Sequence, residues 1–148
     1  MTRYHYKINE SDPQRITVRI YQGETQAATL TIIRENAADT PNFESVAVAV
    51  AFRQYGLSYA LLHLALLYCK DKHETDCTVN NAHGTLIIAL SQVGFVVLRQ
   101  WRDPIAKQNQ AMLTCDNLAA ALRLTKKKLG DKGLIEAGLR NSGPYQFR

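Results

Sequence analysis

Apolar residues recur with a period of two through the first third of the chain and with a period near 3.6 in later segments, and this change sets the expected elements. Ile16, Val18 and Ile20 alternate with Thr17, Arg19 and Tyr21, which predicts a strand over Ile16 to Tyr21; a shorter strand, Tyr4 to Ile8, precedes it across Asp12-Pro13. After the turn Gln22-Gly23-Glu24, the run Thr25 to Arg34 alternates Ala28, Leu30 and Ile32 with Thr29, Thr31 and Ile33 and completes a hairpin. Asn36 to Asn42 reads as a loop. Glu44 to Phe52 differs, with Val46, Val48, Val50 and Phe52 on one face and Ala47, Ala49 and Ala51 on the other, as expected of a central strand covered on both sides.

Beyond Arg53-Gln54-Tyr55-Gly56, the residues Leu57, Leu61, Leu64 and Leu67-Tyr68 predict a helix that ends in the polar run Lys70 to Thr75. A strand over Asp76 to Asn81, a short helix over Gly84 to Gln92 and a strand over Phe95 to Trp101 follow. Asp103-Pro104 to Gln110 reads as a loop, Ala111 to Cys115 as a last strand, and Leu118 to Lys128 as a helix capped by Asp116 or Asn117. An antiparallel start followed by alternating strands and helices is an α/β or α+β sheet with helices packed on it.

The 148 residues suit one domain, expected over 1–129, with a Gly-containing tail from 130 to 148. Residues 1–122 balance 11 basic against 11 acidic side chains, whereas Arg123 to Arg148 hold seven basic and two acidic ones, so the net charge of +5 belongs to the C-terminal part. That segregation, with Lys126-Lys127-Lys128 at its start, makes contact with an acidic protein or RNA a partner to test, beside the plain reading of lysines complementing a helix end. Cys69, Cys77 and Cys115 show no CxxC spacing, and His5, His63, His73 and His83 are scattered, so neither a disulfide framework nor a metal site is expected. Met1 to Lys7 lacks the apolar core of a secretory signal, and no apolar run spans a bilayer. The expected location is cytoplasmic, with no membrane partner.

The segment that carries chemistry is the strand ending at Phe52, the stretch Arg53-Gln54-Tyr55-Gly56-Leu57-Ser58 and the helix start. A helix N-terminus presents unpaired N–H groups and a positive dipole end, which suits a pyrophosphate. Arg53, Gly56 and Ser58 match the defined positions of Q/R-x-x-G-x-G/A, with Ser58 a small substitute, and Ala89-Leu90-Ser91-Gln92-Val93-Gly94-Phe95 is similar to L-Y-x-K-x-G-F. In these two motifs the chain resembles the GNAT superfamily of acyl-CoA-dependent N-acyltransferases, over Glu44 to Phe95.

The resemblance implies a mixed, mostly antiparallel sheet flanked by helices, with acetyl-CoA as co-substrate. It places the backbone of Val48 and Val50 on the pantetheine and the amides of Arg53, Gln54, Tyr55, Gly56, Leu57, Ser58 and Tyr59 on the phosphates. Glu44 is the expected general base, although a strand-end carboxylate in water is the competing reading; His83 and Ser91 are candidate proton carriers. Leu90 stands where many members carry a proton-donating Tyr, and Asn9 to Arg15 leaves no room for the helices usually found between the first two strands. An acceptor site without that wall suits a protein, an RNA or another exposed amine, or is closed by a second subunit in a homodimer. The rival is a GNAT-like binding or regulatory protein, and a nucleic-acid-binding or nucleic-acid-modifying role rests on the tail alone.

Overall fold

A computed structural model describes residues 4–36, 39–53, 56–131 and 140–141. The order is β1 (His5–Asn9), β2 (Arg15–Gln22), β3 (Thr25–Ile33), β4 (Asn42–Val48), α1 (Leu57–Asp71), β5 (Cys77–His83), α2 (Thr85–Gln92), β6 (Val96–Asp103), β7 (Gln108–Cys115), α3 (Leu118–Asp131) and β8 (Arg140–Asn141). The strands form one sheet in the order β6-β7-β5-β4-β3-β2-β1-β8. Pairing is antiparallel except for β4 with β5 and β1 with β8. The mixed, mostly antiparallel sheet expected from the sequence is present, and β1 runs into β2 through residues 10–14 without an intervening helix.

α1 organises the core. It packs on β2, β3 and β4 and is covered by α3, so it is apolar nearly all round: Leu57, Ala60, Leu61, Leu62, Leu64, Ala65, Leu66 and Cys69 are buried. Each buried leucine contributes roughly 1.5–3 kcal/mol. Asn117 caps α3 by accepting the Ala120 N–H at 3.0 Å. Where α1 crosses α3, His63 Nδ1 lies 2.7 Å from Thr125 Oγ1 in a buried polar contact. All three cysteines are buried and free, and burial pushes the Cys69 thiol up to about 12.

The expectation of a strand from Glu44 to Phe52 covered on both faces is corrected. β4 ends at Val48, and Val50–Phe52 form one turn of 3-10 helix. Ala47, Ala49, Val50 and Ala51 are exposed; small methyl groups cost little in water, so their alternation with valine overstated the burial. β2 is one-sided, with Ile16, Val18 and Ile20 facing the core and Arg15 and Arg19 exposed, whereas Thr31 of β3, on the same face as those cations, is buried between its neighbours. The stretch expected as a loop between β6 and β7 shortens to a turn at residues 104–107, with β7 starting at Gln108. α3 runs to Asp131, past the expected start of the tail, and Arg140–Asn141 join the β1 edge. The rest of the tail, residues 132–139 and 142–148, lies outside the described residues.

Burial lowers the His63 pKa from 6.5 to about 4, with the Lys126 charge adding to the effect. The native state therefore favours the neutral ring, and the unfolded chain binds more protons between those values. Stability should be fully present above pH 6.5 and fall by up to about 3 kcal/mol as pH drops through 4. His63→Leu should flatten that slope in denaturant titrations run across this pH range.

Candidate active site

Asn42 fixes where two strands part. β4 and β5 pair at one position, Asn42 with Thr78, and the Thr78 N–H donates to Pro41 O at 2.9 Å. A continuing parallel ladder would send the Asn80 N–H to the β4 main chain. Instead the Asn42 side chain intervenes: its Oδ1 accepts from Asn80 N at 2.9 Å and from Thr78 Oγ1 at 3.2 Å, and its Nδ2 donates to Glu44 Oε1 at 3.1 Å. Asn42 is only 8% exposed. Past this point no further β4–β5 pair forms among the described residues.

Both arms of the fork carry bulges. In β4, Glu44 faces Thr31 and Ala47 faces Thr29, so Ser45 and Val46 together oppose Leu30, with Ser45 in the left-handed region at φ 53°. The extra residue also resets the alternation, which keeps Val46 and Val48 on the core side with Phe43. In β5, Val79 faces Leu113 and Ala82 faces Ala111, leaving Asn80 and Asn81 against Met112 alone. The Ala49 N–H donates to Ala27 O of β3, so by alternation the main-chain groups of Val48 and Val46 point into the gap. Val50, expected beside Val48, sits in the 3-10 turn with its carbonyl accepting the Arg53 N–H at 3.3 Å.

The gap leads to the N-terminus of α1. Gly56 takes φ 82° and ψ 17° there, a left-handed geometry that favours glycine. Its carbonyl accepts from Tyr59 N at 3.1 Å and Ala60 N at 3.3 Å. Among the amides assigned to phosphates, those of Arg53 and Tyr59 are therefore engaged in turns, whereas Leu57 and Ser58 occupy first-turn positions with no acceptor inside the helix. Gln54 and Tyr55 lie outside the described residues. The Arg53 side chain folds back, Nε donating to Val48 O at 3.2 Å.

Two neighbours of this helix start are legible only in three dimensions. Tyr59 Oη donates to Gln92 Oε1 of α2 at 2.7 Å, and Lys128 Nζ of α3 lies 5.9 Å from the Tyr59 ring centre. α3 runs antiparallel to α1, since His63 meets Thr125 and Tyr59 meets Lys128, so the lysine cluster ends beside the α1 N-terminus.

The candidate proton carriers are not gathered at one point. The Asn42–Thr78 register puts Glu44 level with Asn80, so His83 lies roughly 10 Å further along β5. Ser91 Oγ donates to Ile87 O at 2.9 Å within its own helix, and Leu90 is fully buried. No group of metal-ligating side chains occurs among the described residues. A small cleft at Ile16, Ile32, Arg34, Tyr68 and Glu74 lies at the opposite end of α1, about 18 Å from its start, and holds an Arg34–Glu74 ion pair.

No protein-family model and no curated protein matches the chain. Solved structures do. A GNAT family acetyltransferase from Elizabethkingia anophelis with acetyl-CoA bound superposes with a TM-score of 0.59 at 12% identity, over 70% of this chain and 77% of that one. The ribosomal-protein-S18-alanine N-acetyltransferase from Escherichia coli gives 0.60 at 15% identity over 74% of each chain. An IAA acetyltransferase from Bacillus cereus gives 0.60 at 15% identity over 70% of this chain and 79% of that one.

Asn42→Ala removes one buried acceptor and one donor and should cost about 2–3 kcal/mol in chemical denaturation. In the same variant the Asn80 amide should lose its protection in hydrogen exchange; equal protection would show that Asn42 does not hold the fork.

Proposed function

From the GNAT fold of this chain, we propose an acyl-CoA-dependent N-acyltransferase that moves an acetyl group from acetyl-CoA to an amine on a protein or other exposed acceptor. The observation that carries this reading is the opening between β4 and β5, which leads from unpaired strand edge to a Gly56-started helix N-terminus. The fit is good on this chain's own groups. Inward-facing main chain at Val46 and Val48 can pair with pantetheine amides, and the Leu57 and Ser58 N–H groups with the positive end of α1 suit the pyrophosphate. Arg53 would leave Val48 O to make room and turn its charge to the phosphates.

Glu44 is the base in this reading. Held by Asn42 at the fork, its carboxylate takes a proton from the acceptor ammonium, so that the amine nitrogen bonds to the thioester carbonyl carbon. The carbon–sulfur bond then breaks as the nitrogen gives up its second proton, which passes through water to the departing thiolate, because Leu90 has none to give and the Ser91 hydroxyl is committed to Ile87 O. A cytoplasmic setting, where acetyl-CoA is available and thiols stay reduced, goes with this role. The buried Leu90 also favours a second reading, a GNAT-fold protein that binds the cofactor and regulates without chemistry.

Titration calorimetry tests the shared premise. Acetyl-CoA should bind the wild type, and Gly56→Asp should weaken binding at least about tenfold, through a strained backbone and a negative charge at the helix start. Absence of heat with the wild type would end both cofactor readings.

A further inference from the structure

The sheet face turned away from α1 carries charges that folding does not account for. Lys7 of β1 stands directly opposite Arg19 of β2, a like-charge cross-strand pair of the kind that destabilises an antiparallel sheet. Arg15 lies on the same face of β2, by the alternation that buries Ile16, Val18 and Ile20 on the other. All three cations are exposed, and none makes an ion pair among the described residues. Lys7 Nζ lies 5.3 Å from the centre of the Tyr21 ring, which stacks on His5 at 5.3 Å, so the charge is held over the strands.

Register links this patch to the proposed base. Directly paired residues share a face, and the pairs Asn9–Thr17, Thr17–Thr31 and Thr31–Glu44 make one row across β1 to β4. Glu44 is the one carboxylate on this face of the four strands. With strands about 4.8 Å apart and about 3.4 Å per residue along them, the cations stand about 12–16 Å from Glu44. An extended peptide covers that span in four or five residues, at about 3.3–3.6 Å each. No helix between β1 and β2 covers the face.

We propose that this open face docks the acyl acceptor, an acidic segment of a polypeptide whose amine reaches Glu44 while its carboxylates meet Lys7, Arg15 and Arg19. The assignment rests on the acyltransferase reading for the role of Glu44. Charge complementarity selects an anionic partner. A polypeptide is favoured over RNA because a peptide amine is protonated at neutral pH and offers Glu44 a proton, which a nucleobase amine does not. The aromatic pair is, moreover, already engaged by Lys7 rather than set out as a platform for bases.

Fluorescence anisotropy with a labelled peptide, placing a lysine about four residues from a run of glutamates, tests the surface. The wild type should bind it in a salt-sensitive manner, and the double variant Lys7→Glu/Arg19→Glu should bind about tenfold more weakly with acetyl-CoA affinity unchanged. Lys7→Glu alone should raise Tm, because it turns a repulsive pair into an attractive one, while weakening the peptide; a merely structural role for Lys7 would not produce that opposition. Unchanged peptide affinity in the double variant overturns the proposal. Tighter binding of an oligouridylate of equal length, lost in the same variant, replaces it with nucleic acid. A wild-type dimer in sedimentation that the double variant dissolves replaces it with a second copy. Peptide binding without any acetyl-CoA binding supports the docking surface and removes the acyltransferase reading.

Discussion

Everything proposed for this chain depends on two parallel strands failing to stay paired. β4 and β5 meet at Asn42 and Thr78 and separate at once, because the Asn42 side chain takes the Asn80 N–H that a continuing ladder would have used. Past Phe43 the β4 edge is exposed or half-buried, so its unpaired main-chain groups need water, a side chain or a ligand to satisfy them. The chain meets part of that need itself, with Arg53 Nε on Val48 O. An extended ligand with amides of its own would meet the rest, and the same opening that weakens the sheet would admit such a ligand.

The surroundings make that opening directional. Bulges at Ser45–Val46 and Asn80–Asn81 bend both arms, and the first of them also puts Glu44 and the valines on opposite faces of β4. One face thus meets α1 and the core, whereas the other displays Glu44 beside Thr31 and, further off, the cations of β1 and β2. Gly56 completes the geometry by starting α1 in a left-handed conformation at the far end of the gap. A cofactor entering along the edge and an acceptor lying on the open face would approach Glu44 from different sides.

Much of this was legible in the residue pattern. Period-two alternation located β2 and β3 within a residue or two, and the 3.6-type run of leucines located α1, because burial on one face leaves a direct mark on composition. The Arg53-Gly56-Ser58 spacing led to the helix start for the same reason that glycine is needed there. What stayed hidden depended on register. Asn42 read as the end of a loop, since nothing local distinguishes an asparagine that clamps a strand 36 residues away. The end of β4 at Val48 was missed because exposed alanines look like core in an alternating run. The Lys7–Arg19 pair is invisible until the strands are aligned.

In the proposed function the β4–β5 gap and the α1 start together receive acetyl-CoA. Residue-resolved amide hydrogen exchange, with and without saturating acetyl-CoA, tests it most directly. New protection is expected at Val46, Val48, Leu57 and Ser58, with β6 and its turn to β7 unchanged. Protection confined to other elements, or none at these four amides despite measurable binding, would contradict it.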